Sequence, residues 1–280
     1  MRADVLVTPD ELAAALADDE PPVLLDVRWA LGRSRDEAHE RYLAGHLPGA
    51  VYVDLETELA AAPSPRAGRH PLPPVDELEA AARRWGVREG SSVVVYDDVE
   101  ATSAARAWWL LRWAGVASVR LLDGGLAAWE AAGWSLEAGE VTAEPGDLVV
   151  RPGAMPTVTA DEAAAWPGTG VLLDARAAER YAGLVEPVDP RAGHIPGAVS
   201  APTWGNLAGD GRFASDDALR GRFAALVGEL PVAVYCGSGV TASHEVAALA
   251  AVGVEAALFL GSWSAWSNDP ARPVATGERP

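Results

Sequence analysis

The stretch Val232-Ala-Val-Tyr-Cys236-Gly-Ser-Gly-Val-Thr-Ala242 has the pattern of a strand, a tight loop and a helix. Its apolar, β-branched start predicts a buried strand, the Gly-Ser-Gly predicts a tight loop, and the apolar spacing of Val240 to Val252 predicts a helix. Loop amides and the helix N-terminus would then face Cys236, the only cysteine in the chain, and favour its thiolate. Most lone cysteines are core residues, but a core cysteine needs no glycines beside it. We therefore interpret Cys236 as a nucleophile.

Composition narrows the possible functions. The 280 residues suit two domains, and the net charge of −18 argues against nucleic acid or an anionic membrane as a partner. All 22 basic residues are arginine, so any anion must be bound by arginine, histidine or backbone amides. The single cysteine cannot form an internal disulfide, and the sequence has no CxxC motif or Cys/His cluster to hold zinc. We expect no metal and no cofactor. The N-terminus lacks an apolar signal segment, and we expect a cytoplasmic protein.

Four blocks of sequence recur in the same order, and this repeat predicts the architecture. The pairs are Val23-Leu-Leu-Asp-Val-Arg28 with Val171-Leu-Leu-Asp-Ala-Arg176, Ala44-Gly-His-Leu-Pro-Gly-Ala-Val51 with Ala192-Gly-His-Ile-Pro-Gly-Ala-Val199, Val93–Tyr96 with Val232–Tyr235, and Leu122–Trp129 with Leu260–Trp266. Because Arg28, Arg176, His46 and His194 occur in both copies, we interpret these residues as structural.

Within each copy, short apolar strands alternate with helical patterns, and the helices opened by Thr8 and Thr159 carry capping boxes. This alternation predicts an α/β fold with two tandem domains, each a parallel sheet with helices on both faces. We predict an N-terminal domain over residues 1–140, a Pro/Gly-rich linker over 141–157 and a C-terminal domain over 158–280.

The two copies differ where the first stretch lies. Asp97 stands in the place of Cys236, and Asp98-Val-Glu100 replaces Gly-Ser-Gly. An acidic loop without glycine is expected to repel an anion and not to fold tightly around a sulfur atom. We therefore predict that the first copy is catalytically silent and that the second copy is the catalytic one.

These motifs together resemble the two-domain sulfurtransferases of the rhodanese and mercaptopyruvate sulfurtransferase family, over almost the whole chain. The resemblance implies two rhodanese-like domains and a double displacement. In it Cys236 takes sulfane sulfur from a donor, 3-mercaptopyruvate or thiosulfate, and passes it to cyanide or a thiol. It also implies that a thioredoxin-like reductant is a further partner. Backbone amides of Gly237, Gly239, Val240 and Thr241 would bind the transferred sulfur.

The resemblance also indicates the donor. Gly237 and Ser238 follow the pattern associated with 3-mercaptopyruvate, whereas thiosulfate enzymes have cations there. It implies that Ser238 works with Asp54 and His70 in handling protons, although a helix N-cap and a surface loop residue are the alternatives for those two. Arg180 matches the arginine that faces the active loop. The family's second substrate arginine has no clear counterpart: Ala182 and Val188 stand near its expected place, and Arg191 is a weak substitute.

Three other functions remain as alternatives. A dual-specificity phosphatase has a similar loop cysteine, but it needs an arginine at the end of the loop, where this chain has Ala242, Ser243 and His244. A persulfide carrier or binding module without turnover needs the same loop as the enzyme. A redox sensor would use a Cys236 sulfenate, but the chain has no resolving cysteine.

Overall fold

The computed structural model describes residues 1–280 and divides into two compact units. Unit 1 consists of Met1–Ala60, Pro73–Met155 and Gly209–Phe213. Unit 2 consists of Ala61–Leu72, Pro156–Ala208 and Ala214–Pro280. A short segment, Ala61–Leu72, thus belongs to unit 2 although it lies within the N-terminal half of the sequence. Another, Gly209–Phe213, belongs to unit 1 although it lies within the C-terminal half. Residues 141–155 of the proposed linker belong to unit 1, where Gly146 N donates to Arg83 O at 2.8 Å.

Unit 1 is built on a five-stranded parallel sheet in the order β1-β5-β4-β2-β3. The strands are β1 (Leu6–Val7), β2 (Val23–Asp26), β3 (Val51–Tyr52), β4 (Ser92–Tyr96) and β5 (Ser118–Leu122). The helices are α1 (Arg2–Val5), α2 (Pro9–Leu16), α3 (Arg35–Ala44), α4 (Leu55–Glu58), α5 (Val75–Arg84), α6 (Ala104–Trp113) and α7 (Gly125–Ala131).

Unit 2 has a four-stranded parallel sheet in the order β7-β6-β8-β9. Its strands are β6 (Val171–Asp174), β7 (Val199–Ser200), β8 (Val232–Tyr235) and β9 (Ala256–Leu258). Its helices are α8 (Ala160–Ala165), α9 (Ala178–Tyr181), α10 (Asp216–Val227), α11 (Val240–Ala251) and α12 (Ser262–Asn268), and short 3-10 turns span Trp166–Gly168 and Thr203–Asn206. The predicted α/β fold with two repeated domains is confirmed.

The apolar strands form the cores, as their unbroken hydrophobic runs predict for parallel sheets. In unit 1, Leu24 of β2 and Val94 of β4 pack in one buried cluster with Leu12 of α2. In unit 2, Leu172 of β6 and Ala233 of β8 hold the same places in their cluster. Each fully buried aliphatic side chain contributes about 1.5–3 kcal/mol to folding.

The residues common to both copies are structural, as predicted. Arg28 pairs with Asp26 at 2.6 Å in unit 1, and Arg176 pairs with Asp174 at 2.6 Å in unit 2. His194 stacks on a tyrosine ring and its Nδ1 lies 2.8 Å from Tyr181 O, a contact that His46 repeats in unit 1. Both predicted capping boxes are also present.

The loop after β4 was expected to repel an anion, but it closes tightly around a carboxylate although it contains no glycine. The Asp97 carboxylate accepts hydrogen bonds from the amides of Val99, Ala101, Ser103 and Ala104 at 2.7–3.0 Å. Glu100 and Ala101 adopt the left-handed region, with φ of 60° and 63°. Burial raises the Asp97 pKa to about 6 although these amides lower it. The loop supplies its own anion instead of excluding one.

No helix of the chain is both long enough and apolar enough to cross a membrane. The predicted cytoplasmic location stays a prediction.

Candidate active site

Cys236 directly follows β8, and the start of α12 fixes its backbone on both sides. Its amide donates to Ser262 Oγ at 3.2 Å, and its carbonyl accepts from Trp263 N at 2.9 Å. The residue is only 1% exposed. The thiol therefore sits on a rigid turn between the end of a buried strand and a buried helix.

The sulfur of Cys236 faces the N-terminus of α11, as the sequence predicted. Gly239 N donates to Cys236 Sγ at 3.2 Å, and Gly239 is the N-cap of the helix. Gly239 has φ of +83°, and a methyl group on it would lie 2.8 Å from Leu260 O. The next amides, of Val240 and Thr241, lie in the first helical turn and have no acceptor within the helix. This arrangement favours negative charge on the sulfur.

Ser238 and His70 form a hydrogen-bonded pair beside this loop. His70 lies in Ala61–Leu72, which belongs to unit 2. Its Nδ1 is 2.8 Å from Ser238 Oγ, and the residues are 8% and 7% exposed. His70 is therefore not the surface loop residue of the alternative interpretation.

Asp54 lies in unit 1, where it is the N-cap of α4. Its carboxylate accepts from Glu56 N and Thr57 N at 2.9 and 3.0 Å, and from Arg35 Nε at 2.6 Å. These are the contacts of the helix-capping alternative.

Arg180, in α9, lies beside the active loop. A methyl group on Gly237 would lie 3.5 Å from Arg180 Nη1. The guanidinium pairs with Glu186 at 2.7 Å and with Asp189 at 3.2 Å, and the side chain is 18% exposed. The position suits a cation that binds the anionic end of a small substrate next to Cys236.

Arg191 is not a substrate cation. Its guanidinium donates to the backbone carbonyls of Ser267, Trp266, Asp269 and Arg272 at 2.7–2.9 Å. It therefore satisfies the C-terminal end of α12 and the turn that follows. Val188, the other position considered for that cation, is 41% exposed and carries no charge.

Sequence reasoning missed a second arginine and its partner. Arg69 pairs with Asp189, whose other oxygen accepts from Arg180. Burial raises the pKa of Asp189, and Arg69 and Arg180 oppose that shift. The only local signal was that Arg69 directly precedes His70. No group of His, Cys, Asp and Glu side chains is arranged to hold a metal ion.

The chain matches the rhodanese-like domain family twice, over residues 8–132 and 159–269. It is 49% identical, across 99% of this chain and 98% of the relative, to "Putative thiosulfate sulfurtransferase SseB" of Mycobacterium tuberculosis. It is 48% identical, across 99% of this chain and all of the relative, to "Probable 3-mercaptopyruvate sulfurtransferase" of Pseudomonas aeruginosa.

Among solved structures, the chain is similar to the 3-mercaptopyruvate sulfotransferase SseA of Escherichia coli. The TM-score is 0.81 with 35% identity, over 92% of this chain and 98% of the other. The chain therefore belongs to the rhodanese family. Within it, this chain is of the two-domain kind, and the family predicted from the sequence is confirmed.

Proposed function

We propose that this chain is a sulfurtransferase in which Cys236 carries sulfane sulfur from 3-mercaptopyruvate to a thiophilic acceptor such as cyanide or a thiol. One observation carries the proposal: the single thiol accepts a hydrogen bond from the amide that opens α11, next to a loop residue that two guanidinium groups approach. A nucleophile, amide donors and cations for an anionic donor are thus available in one place.

The reaction balances without a cofactor. The Cys236 thiolate attacks the sulfur of 3-mercaptopyruvate, an S–S bond forms, and the C–S bond breaks. The electron pair of the C–S bond stays on carbon and gives the enolate of pyruvate. That carbon is then protonated by the proton of the donor thiol. The sulfur is oxidised to the sulfane level while the carbon is reduced. The acceptor then attacks the outer sulfur and releases the thiolate.

Ser238 and His70 are proposed to move that proton. A serine hydroxyl within hydrogen-bond distance of an imidazole nitrogen can pass a proton between the donor sulfur and the leaving carbon. The role predicted for Asp54, as the third member of this set, stays a prediction. The amides of Gly237, Gly239, Val240 and Thr241 are proposed to bind the outer sulfur of the persulfide.

Thiosulfate is the second candidate donor, because one of the relatives at about half identity is named for it. We favour 3-mercaptopyruvate because Gly237 and Ser238 provide no cation within the loop. The cations near the loop come instead from other segments of the chain.

Intact-protein mass spectrometry tests the proposal. The wild-type chain is exposed to 3-mercaptopyruvate or to thiosulfate and then to cyanide. We expect a gain of one sulfur atom that cyanide removes, faster loading from 3-mercaptopyruvate, and no gain in Cys236→Ser. Thermal unfolding of the variant is the control for folding. A sulfur adduct on Cys236→Ser would place the nucleophile elsewhere, and no adduct on the wild type from either donor would refute the proposal.

A further inference from the structure

Two arginines from distant parts of the sequence approach the same loop residue. A methyl group on Gly237 would lie 2.9 Å from Arg69 Nη2 and 3.5 Å from Arg180 Nη1. Both guanidinium groups therefore lie over the backbone of the residue that follows Cys236. Their side chains remain 28% and 18% exposed, so a small ligand from solvent can reach them.

A shared carboxylate holds the two guanidinium groups together. Arg69 Nη1 donates to one oxygen of Asp189, and Arg180 Nη2 donates to the other at 3.2 Å. The Asp189 side chain is 2% exposed. The two positive guanidinium groups repel each other, and the negative charge of Asp189 offsets that repulsion. The Asp189 contact uses Arg69 Nη1, whereas Nη2 is the atom of Arg69 that lies near Gly237.

The backbone of Arg69 is fixed to the active loop through one serine. Ser264 Oγ accepts from Arg69 N at 3.1 Å, and Ser264 N donates to Gly237 O at 2.9 Å. Gly68, just before, has φ of +90°, and a methyl group there would lie 2.7 Å from Gly261 O. The segment that carries Arg69 can therefore approach α12 closely only with a glycine at this position.

We propose that Arg69 is the second donor-binding cation of this chain and that it forms with Arg180 a two-guanidinium clamp for the anionic end of the sulfur donor. This inference rests on the proposed function and extends it to the recognition of the donor. Arg69 supplies the charge that Val188 and Arg191 do not supply. Two planar forks match the carboxylate of an α-keto acid or the sulfonate end of thiosulfate. Asp189 is a positioning residue, because it orients both arginines.

The clamp is tested by the rates at which Cys236 reacts with two alkylating reagents of similar size, one anionic and one neutral. Iodoacetate carries a carboxylate and iodoacetamide is its neutral analogue, and both alkylate a thiolate. We expect Arg69→Gln to lower the ratio of the iodoacetate to the iodoacetamide rate on Cys236 roughly tenfold, because one charge-assisted contact is lost. Arg66→Gln, an exposed arginine in the same segment, is the matched control and should leave the ratio unchanged. The wild-type ratio in Arg69→Gln would overturn the proposal.

Donor kinetics give the second measurement. We expect Arg69→Gln to raise KM for 3-mercaptopyruvate roughly 10- to 100-fold with a smaller effect on kcat, and Arg69→Lys to recover part of the loss. Equal kcat and KM in Arg69→Gln and the wild type would refute the clamp. If the alkylation ratio falls in Arg69→Gln but the wild type takes up no sulfur, the anion site is supported and the sulfurtransferase proposal is refuted. The failure of the clamp and the failure of the proposed function are therefore distinguishable.

Discussion

At the scale of single residues, the environment of Cys236 is assembled from side chains far apart in sequence. Its sulfur accepts a hydrogen bond from Gly239 N. The neighbouring Ser238 contacts His70, which is 168 residues away in the sequence. The amide can stabilise negative charge on the sulfur, and the hydroxyl–imidazole pair is proposed to move a proton. The groups proposed to assist the nucleophilic sulfur thus come from several segments of the chain.

The pair of Ser238 and His70 predicts non-additive effects. We expect Ser238→Ala and His70→Gln each to slow single-turnover loading from 3-mercaptopyruvate roughly 100-fold or more, and the double variant to be no slower, because one proton path is lost in all three. Rapid-quench mass spectrometry of the loading step checks this.

The control for that experiment is Ser200→Ala, which removes a buried hydroxyl without a hydrogen-bond partner and should leave the loading rate unchanged. Additive losses in the double variant would show that Ser238 and His70 act separately.

Among the structural elements, the turns after β4 and β8 occupy equivalent places in the two copies. The turn after β8 presents an amide to a sulfur, and the turn after β4 presents its amides to a carboxylate. In unit 2 the turn after β8 reaches α11 through Gly239 and leaves an amide for the sulfur. In unit 1 the longer turn after β4 closes on the Asp97 carboxylate, which occupies four amides. The first copy therefore keeps an anion-binding turn and fills it with its own side chain. This observation supports the proposal that the first copy is silent.

The N-cap of α11 predicts a specific effect of adding one methyl group. Gly239→Ala should destabilise unit 2 by about 2–4 kcal/mol, because a left-handed φ costs about 1 kcal/mol and the contact with Leu260 O adds overpacking. It should also slow sulfur loading, because the amide that faces Cys236 Sγ shifts. Urea unfolding and the loading assay measure the two effects.

Gly253→Ala is the matched control, since Gly253 has φ of +85° but nothing within 4 Å of an added methyl group. It should lose only the conformational cost, about 1 kcal/mol, and keep the loading rate. Equal losses in Gly239→Ala and Gly253→Ala would mean that the close approach to Leu260 has no energetic consequence.

The net charge of the whole protein opposes the binding of an anionic sulfur donor. The net charge is −18, whereas both candidate donors are anions. The two arginines near the active loop are each paired with a carboxylate, so they do not reverse the field of the whole protein at long range. Recognition of the donor must therefore be local.

This balance predicts the response to salt. We expect the second-order rate constant for loading by 3-mercaptopyruvate to rise as NaCl increases from about 0.01 to 0.15 M, because the Debye length falls from about 30 to 8 Å and the repulsion is screened. Alkylation by iodoacetamide, a neutral reagent, is the control and should not change. A loading rate that falls with salt would mean that the local arginines dominate the approach of the donor.

Much of this protein could be predicted from its sequence, because the patterns involved are local. Apolar runs, capping boxes at Thr8 and Thr159, and the repeated blocks predicted the parallel α/β units. The strand, glycine loop and helix around Cys236 predicted where the thiol lies and which amide faces it. Arg180 and His70 followed from resemblance, and both lie beside the active loop.

Which distant groups complete the site is visible only in the folded chain. Arg69 and Asp189 are 120 residues apart, and no periodicity or spacing links positions so distant. Their meeting depends on the segment Ala61–Leu72, which belongs to unit 2 although the residues before and after it belong to unit 1. The turn around Asp97 was also misjudged, because a sequence shows that a carboxylate is present but not that backbone amides converge on it. Local patterns fix secondary structure, whereas the pairing of charges and amides is fixed by long-range packing.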